Sequence, residues 1–371
     1  MKIKCNRAKF SEAFQTVASV APSRSPKTIL QNVKLDVHGG EGVLSATDLE
    51  VGIRCTVPEV EVQVEGSAVL PVTRFGAILR EAPDEQLELE ADPQGTRVLG
   101  QRSEFKLPSQ DPAEFPDVAT FDSDKFHEVP ARFLREVIRR TIFATDTDSS
   151  RYALGGVLFE LTEDHLTAVG TDGRRLAKME GPALAVNGHH TTDQMTIVPT
   201  RALQLMERAL SDGDAEIQLT VRSNDLLVRS PWVTISTRLV EGRYPKWRDV
   251  FPASKDGVAI ELPVGPFYSA VRQAAIVTSE ESRGIDFKFG KGNVTLAAQT
   301  ADTGQSRIEL PIGYQGDEIT IMLDPKYIND FLKVVDVDKT FTLEIRDAKS
   351  AAVCKTDDGY GYVIMPMARE K

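Results

Sequence analysis

Apolar residues recur at helical spacing in six stretches of the chain, with polar residues on the opposite side of each stretch. This amphipathic pattern predicts helices that pack one face on a core. The predicted helices are Ala8–Val20, Pro71–Arg80, Ala131–Phe143, Val198–Leu210, Val264–Ile276 and Leu323–Val335. Between them, Gln86–Ala91, Ala215–Val221 and Thr340–Ile345 alternate apolar and polar residues, which predicts half-buried strands.

The helices and strands repeat three times in the same order. The first basic residue of the second helix in each copy is Arg74, Arg201 or Lys326, at separations of 127 and 125. A Thr-Asp pair recurs at Thr47-Asp48 and Thr171-Asp172, 124 residues apart, and is missing from the third copy. We therefore predict an α+β protein of three internally repeated domains, each with two helices packed on antiparallel sheet. The predicted domains are 1–122, 123–254 and 255–371.

Length and composition agree with a globular protein of two or three domains. The chain has 371 residues, of which 41% are hydrophobic and 27% are charged. No apolar run approaches the roughly 18–20 residues that cross a bilayer, and the N-terminus has no signal-peptide core, which predicts a cytoplasmic protein. Cys5, Cys55 and Cys354 share no metal-ligand or redox spacing, so we predict no disulfide, no metal and no cofactor.

The location of the charge changes this picture. The net charge of −11 alone argues against a nucleic-acid partner. Six windows at the predicted helices nevertheless carry a net +8, which leaves −19 for the rest of the chain. These windows are residues 7–19, 72–83, 131–143, 200–210, 264–276 and 325–334. Their basic faces could line one concave surface that contacts a nucleic-acid backbone, or they could be ordinary solvated helix faces.

Three longer motifs are distinctive: VGTDGRRLA at Val169–Ala177, RLVEGRYPKWRDVFP at Arg238–Pro252 and YVIMPM at Tyr362–Met367. Through them, and over essentially its whole length, the chain resembles the bacterial DNA polymerase III beta subunits, the family of sliding clamps. The resemblance implies a head-to-tail homodimer that forms a six-domain ring with twelve helices inside. Twelve helices about 10 Å wide enclose a hole of about 28 Å, which admits B-form duplex.

The resemblance also implies a non-catalytic function. The ring encircles double-stranded DNA without reading its sequence and tethers the replicative polymerase for processive synthesis. The clamp loader and repair polymerases are further implied partners, which bind through short linear peptides. The implied location is the nucleoid within the cytoplasm.

The family's peptide pocket lies between the second and third domains. The positions of this chain that match it are Leu154, Thr171, Gly173, Arg174, Arg175, Leu176, Pro245, Val250, Val363, Ile364, Met365, Pro366 and Met367. Apolar side chains with two methionines form a wall that adapts to different ligands. Without the resemblance, the C-terminal segment also fits an edge strand packed in a core. Asp249 replaces a residue that is basic in several relatives, and Arg174 replaces a common histidine, so the preferred peptide stays open.

Two further sets of positions are predicted to make contacts. The resemblance implies subunit contacts by Phe105 and Leu107 in the first domain and by Ile276 and Val277 in the third, although Phe105 and Leu107 also fit the inward face of a strand. It places Arg24 and Tyr152 on loops that touch DNA, and the basic helix faces supply the other candidates. The predicted DNA-binding residues are Arg24, Arg74, Arg80, Arg132, Arg135, Arg139, Arg140, Tyr152 and Arg201.

Enzymatic functions find little support in the sequence. It contains no P-loop, no dinucleotide-binding glycine motif and no nucleophile elbow. We interpret His189 and His190 as part of a solvated loop, and the Thr171-Asp172 pair as a turn. The alternative from another class is a peptide-binding scaffold without a role on DNA, and a hydrolase is more remote. Dimer affinity and the ring-opening rate cannot be predicted from the sequence.

Overall fold

The structure is a computed structural model. It describes residues 1–108, 110–148, 152–191, 195–210, 213–251, 257–279, 282–300 and 302–368, with only the backbone of Tyr152. The predicted domain boundary at residue 254 lies outside these ranges, and the predicted domain limits stay predictions.

The N-terminal third contains two helices, α1 (Arg7–Ala18) and α2 (Val72–Glu81). Short 3₁₀ helices span Thr28–Gln31 and Pro112–Glu114. The strands are β1 (Lys2–Asn6), β2 (Asn32–His38), β3 (Glu41–Thr47), β4 (Val51–Val57), β5 (Val60–Val64), β6 (Gly66–Pro71), β7 (Gln86–Asp92), β8 (Gly95–Leu99) and β9 (Glu104–Leu107).

The central third repeats this order with α3 (Ala131–Thr141) and α4 (Thr200–Ala209), and adds the single-turn α5 (Trp247–Val250). Short 3₁₀ helices span Ile142–Ala144 and Tyr152–Gly155. The strands are β10 (Phe126–Pro130), β11 (Gly156–Leu161), β12 (His165–Thr171), β13 (Arg175–Pro182), β14 (Leu184–Val186), β15 (Thr196–Pro199), β16 (Glu216–Val221), β17 (Asp225–Arg229) and β18 (Val233–Arg238).

The C-terminal third contains α6 (Val264–Ala274) and α7 (Pro325–Val334), with a 3₁₀ helix over Ala275–Val277. The strands are β19 (Val258–Pro263), β20 (Ile285–Gly290), β21 (Asn293–Thr300), β22 (Gly304–Pro311), β23 (Ile319–Leu323), β24 (Thr340–Ile345), β25 (Ala352–Lys355) and β26 (Tyr360–Ile364). The three-fold repeat of an α+β unit is therefore confirmed.

Each third contributes two antiparallel strand groups. Group 1 runs β6-β2-β3-β4 in the N-terminal third, β15-β11-β12-β13 in the central third and β23-β20-β21-β22 in the C-terminal third. Group 2 runs β5-β1-β7-β8-β9, β14-β10-β16-β17-β18 and β19-β24-β25-β26 in the same order of thirds.

The sheets cross from one third to the next. Strand β4 of the first group 1 pairs with β18, which places Cys55 opposite Val233. Strand β13 of the second group 1 pairs with β26, which places Met179 opposite Tyr360. The result is one nine-stranded and one eight-stranded sheet, each shared by two thirds. Group 2 of the first third and group 1 of the last third stay separate sheets within the chain, ending at β9 and β22.

Proline sets the start of most of the main helices. Pro71, Pro130, Pro199 and Pro263 each end a strand and occupy the residue before α2, α3, α4 and α6. A proline in extended conformation ends the strand, and the next residue begins the helix. Apolar faces then pack the helices in pairs; in the first third, Phe14 of α1 lies 4.9 Å from Phe75 of α2 between ring centroids.

One hydrophobic core runs through all three thirds, from Ile3 and Phe10 to Phe331 and Tyr362. Within the described ranges, none of the helices is both long and apolar enough to span a membrane.

Candidate partner-binding site and DNA-facing surface

A tight turn at Thr171 and Asp172 shapes one side of the predicted peptide site. The Thr171 hydroxyl donates to the Arg175 carbonyl at 2.6 Å, and one Asp172 carboxylate oxygen accepts from the Arg174 and Arg175 N–H groups at 2.9 and 3.0 Å. Gly173 has φ +87°, a left-handed conformation that glycine adopts without strain. The turn interpretation of this pair is therefore correct.

The same turn occurs at the first repeat. Thr47 donates to the Val51 carbonyl at 2.8 Å, and Asp48 accepts from the Glu50 and Val51 N–H groups at 3.0 and 2.7 Å. A short polar side chain that satisfies backbone donors explains why Thr-Asp recurs at a fixed offset.

The C-terminal segment joins the predicted site through backbone pairing. Leu176 of β13 lies opposite Val363 of β26, and both belong to a small apolar cluster with Tyr244 and Trp247. Beyond the strand, the Met365 N–H donates to the Arg174 carbonyl at 2.9 Å. The structure thus brings the turn, Leu176 and the C-terminal segment together.

Several predicted residues present exposed apolar surface here. Val250 and Met365 are large apolar side chains that remain exposed. A cavity of about 440 Å³ extends along Leu154 and Pro245, and a second of about 650 Å³ lies beside Leu158, Trp247 and Asp249. Concave apolar surface with flanking polar groups is typical of ligand sites.

Asp249 lies at the rim of the larger cavity. Its neighbour Arg248 forms an ion pair with Glu160 at 2.7 Å and stacks 4.2 Å from the Trp247 ring centroid. Asp249 and Glu160 therefore lie in the lining of this cavity together with the basic Arg243, Lys246 and Arg248.

Arg175 does not lie free in the pocket. Its guanidinium is only 6% exposed and donates to Asp172 at 3.0 Å, to Asp330 of α7 at 2.7 Å and to the Phe143 carbonyl at 2.6 Å. The Tyr327 ring lies 4.7 Å away. Arg175 thus links the central and C-terminal thirds. Asp330 could not be predicted as its partner, because the two residues are 155 positions apart.

Ile364 also differs from its predicted role. Side chains alternate along β26, so Val363 joins the apolar cluster of the site while Ile364 lies in the main core. Ile364 is fully buried there, and this placement argues against direct contact with a peptide. Tyr244 was not predicted; its burial raises the pKa of the phenol, and its hydroxyl donates to the Val169 carbonyl at 2.7 Å.

Most predicted DNA-binding arginines are exposed. Arg24, Arg74 and Arg135 lie on the surface. Arg80, Arg132, Arg139 and Arg201 are also exposed and have acidic partners, which are respectively Glu81, Asp214, Glu136 and Asp48. The side chain of Tyr152 lies outside the described residues.

Arg140 is an exception that corrects the prediction. It is 6% exposed, pairs with Glu136 and with Asp358 at 2.8 Å, and lies 5.0 Å from the Tyr360 ring centroid. Asp358 and Tyr360 belong to the C-terminal third. Arg140 is therefore a residue of the domain junction, and its guanidinium is not available to DNA.

The residues predicted to contact the second subunit lie on or near β9 and β22, the strands at which the two separate sheets end. Phe105 lies on β9 and is partly exposed, whereas Leu107 is buried. Ile276 follows α6 and is 78% exposed. Strands β9 and β22 are both edge strands, so their outer backbone groups are available for pairing.

The interpretation of His189 as a solvated residue is wrong. Its side chain is buried, with Nδ1 lying 2.7 Å from Nδ1 of His127 and Nε2 accepting from the Val221 N–H at 3.1 Å. In the part of the chain that the structure describes, no group of three or more His, Cys, Asp or Glu residues is arranged to hold a metal ion.

Comparison with known proteins accounts for almost the whole chain. Models of one family, the DNA polymerase III beta subunit, match residues 1–119 as its N-terminal domain, 128–246 as its central domain and 248–368 as its C-terminal domain. The beta sliding clamp of Chlamydia pneumoniae is 28% identical over 372 residues, covering 99% of each chain. That of Escherichia coli K12 is 28% identical over 377 residues, covering 99% of this chain and all of its own.

The fold leads to the same family. The crystal structure of the DNA polymerase III subunit beta from Pseudomonas aeruginosa superposes with a TM-score of 0.91 at 26% identity and covers 100% of both chains. The three domain models match the three thirds in order, and the solved structure matches the full length. The chain therefore belongs to the DNA polymerase III beta subunit family.

Proposed function

We propose that two copies of this chain close into a ring that encircles duplex DNA and tethers the replicative polymerase. The protein is a non-catalytic sliding clamp in this function, and it also serves as a docking platform for the clamp loader and repair polymerases. The ring holds DNA by its closed topology, so binding does not depend on base sequence.

The unjoined strand groups are the observation that carries the proposal. At both internal junctions, the last strand of a group 1 pairs with the last strand of a group 2: β4 with β18, and β13 with β26. Among the strands that the structure describes, those left without such a partner are β22, which ends a group 1, and β9, which ends a group 2. Two copies can therefore repeat the internal junction twice more and close a ring of six domains.

The predicted subunit contacts fit this arrangement. Ile276 occupies the same place after α6 as Phe143 occupies after α3. Phe143 packs against Tyr362 of the following third, with ring centroids 5.7 Å apart. Ile276 is exposed because the following domain belongs to the second subunit.

Charge supports the DNA-facing surface. The exposed arginines Arg74, Arg132, Arg135, Arg139 and Arg201 lie on α2, α3 and α4. Several already have an acidic partner, which moderates their attraction to phosphate. Weak, screened contacts allow a ring to slide, whereas strong ones would hold it in place.

The partner site is proposed at the Thr171 turn, Leu176, Val250, Pro245, Val363 and the segment from Met365 to Met367. Its exposed Met365 and Val250 suit the apolar side chains of a short linear peptide. Arg175 acts indirectly by fixing the two domains that form the site.

Retention on circular DNA tests the proposed function. The protein is loaded by a clamp loader onto a nicked circular plasmid, and the salt concentration is then raised to remove simple phosphate binders. We expect the protein to stay on the circle and to leave after the plasmid is linearised. Equal loss from both forms, with the loader shown to be active, would favour the peptide-binding scaffold.

A matched pair of variants tests the partner site in the same assay. Met365→Asp places a charge on the exposed apolar surface, and we expect loading to fall at least ten-fold while the dimer persists. Leu184→Asp alters another exposed apolar side chain on β14, away from the site, and should load normally. Normal loading of both variants would remove Met365 from the proposed site.

A further inference from the structure

A crevice of about 260 Å³ lies at the junction between the N-terminal and central thirds. Glu12 and Thr16 of α1 line one part of it, and Cys55 of β4 lines another. Trp232, in the turn between β17 and β18, also lines the crevice although it is 58% exposed. A large aromatic side chain left in solvent at the mouth of a crevice is a feature of binding surfaces.

The second junction shows what occupies the corresponding space. Helices α1 and α3 share four buried positions at an offset of 124: Phe10, Ala13, Phe14 and Val17 match Leu134, Val137, Ile138 and Thr141. Glu12 therefore corresponds to Glu136. By the same offset, Thr16 corresponds to Arg140.

The strand registers extend this correspondence across the junction. Val233 lies opposite Cys55 at the first junction, and Tyr360 lies opposite Met179 at the second. Cys55 and Met179 are themselves 124 residues apart. Val233 therefore corresponds to Tyr360, and Trp232 is the residue immediately before it.

At the second junction a guanidinium fills the space. Arg140 pairs with Glu136 and lies over the Tyr360 ring. At the first junction, threonine replaces the arginine and valine replaces the tyrosine. Glu12 corresponds to the carboxylate and the adjacent Trp232 provides an aromatic ring, but no guanidinium lies at this junction among the described lining residues. Their one cation is Lys9, which pairs with Glu59.

The charge around the crevice suits a cation. Among the described residues, the Glu12 carboxylate takes part in no ion pair, while the neighbouring Lys9 is already paired with Glu59. Burial, and then the Glu12 carboxylate, raises the pKa of the Cys55 thiol to about 11, so this thiol stays neutral. Ala209 and Leu210 bring the C-terminal end of α4 to the wall, where helix carbonyls favour positive charge.

We propose that this crevice binds an arginine side chain presented by a partner protein, with the guanidinium paired to Glu12 and stacked on Trp232. Arginine suits the site better than lysine because its planar guanidinium can pair with a carboxylate and stack on an aromatic ring at once. The proposal does not depend on ring closure or on DNA, and this crevice is separate from the Thr171 site.

Tryptophan fluorescence tests the proposal directly. The chain has two tryptophans, so Trp247→Phe leaves Trp232 as the only reporter. The probe is acetyl-Ala-Arg-Ala-amide, and the control is the same peptide with citrulline, which has nearly the same shape without the charge. At matched ionic strength we expect a saturable change in Trp232 emission with arginine and binding at least ten-fold weaker with citrulline. Equal responses to both peptides would overturn the proposal.

Variants of α1 provide the second test. Thr16→Arg places a guanidinium of the protein itself in the crevice, so we expect it to abolish the response to the arginine peptide. Gln15→Arg adds the same charge outside the crevice lining and should leave the response unchanged. Glu12→Gln should weaken binding at least ten-fold, with circular dichroism confirming the fold of each variant.

Two outcomes would reject the arginine site. The first is an equal loss of response in Thr16→Arg and Gln15→Arg, which would indicate a general charge effect. The second is a saturable response to a duplex oligonucleotide that Thr16→Arg strengthens, since this would make the crevice a phosphate-binding surface.

Discussion

At the scale of single residues, the most informative side chains are the charged ones that the fold buries. Arg140 and Arg175 both cross from the central third to the C-terminal third, and each meets a carboxylate that belongs to the other side. A buried guanidinium needs such a partner, so each arginine fixes the relative position of two domains.

Removal of the Arg175 charge should destabilise the protein strongly. In Arg175→Met, the Asp172 and Asp330 carboxylates lose their buried partner, and we expect the free energy of unfolding to fall by about 3–5 kcal/mol. Urea unfolding measures the change. Arg174→Met is the matched control, because Arg174 is exposed, and its effect should stay within about 0.5 kcal/mol. Similar losses in both variants would contradict a role of Arg175 at the junction.

The buried histidines make a chain of hydrogen bonds that requires both rings to be neutral. Since His189 Nε2 accepts from Val221, its Nδ1–H donates to His127 Nδ1, and His127 Nε2–H donates to the Thr162 carbonyl at 2.5 Å. Burial is the main cause that lowers the pKa of both rings. For His189 the electrostatic influence of His127 is the next cause that lowers the pKa, and the neighbouring His190 contributes in the same direction for both rings. Lys125 lowers the pKa of His189 further.

This arrangement predicts a loss of stability in mild acid. Below about pH 6.5 the histidines of the unfolded chain bind protons that the folded chain does not, so the free energy of unfolding falls as the pH falls. His189→Gln keeps an acceptor and a donor without titrating, and we expect its stability to decline less between pH 7.5 and 5. His38→Gln removes an exposed histidine outside this pair and should keep the original slope. Equal slopes in the protein and in His189→Gln would exclude this source of acid sensitivity.

At the scale of elements, the sequence predicts the helices well and the sheets only in part. All six predicted helices are present, and their ends differ from the observed ones by at most two residues. A helix is a local structure whose apolar period can be read from one stretch of sequence. The prolines before four of these helices sharpen their starts.

The joined sheets could not be predicted in this way. The pairing of β4 with β18 connects residues about 180 positions apart, and no local pattern specifies it. The same limitation applies to the site. Leu176 and Val363 meet as predicted, but the burial of Arg140, Arg175, His189 and Ile364 depends on which distant strand or helix packs against them.

The exposed Ile276, which follows α6, allows a test of the proposed subunit contact. Ile276→Asp would place a carboxylate in an apolar interface, at a cost of about 3 kcal/mol at each of the two interfaces of the ring, and should raise the dimer dissociation constant roughly 10,000-fold. Sedimentation velocity over a dilution series measures this change. Leu184→Asp introduces the same charge at an exposed residue outside the interface and should leave the dimer intact. An unchanged dimer in Ile276→Asp would place the interface elsewhere.

At the scale of the whole molecule, the chain contains two junctions of the kind that we propose to join two copies. This provides an internal control for hydrogen exchange. On dilution below the dimer dissociation constant, we expect outer amides of β9 and β22 to lose protection. Amides that pair β4 with β18 should stay protected, because that junction lies within one chain. Protection of β9 and β22 that does not depend on concentration would contradict their proposed pairing between subunits.

The strands that we propose to join the copies, β9 and β22, differ from each other, and this difference has a consequence for the geometry of the assembly. If β9 of one copy can pair with β22 of a second copy, it can pair equally well with β22 of a third. The strand pairing itself therefore does not limit the assembly to two chains. The limit is curvature: six junctions close a circle only if each turns the chain by about 60°. The buried arginines at the junction of the central and C-terminal thirds fix one of these angles. A variant that relaxes it would lengthen the assembly into an open spiral, so the number of subunits depends on the angles inside the chain as well as on the contacts between copies.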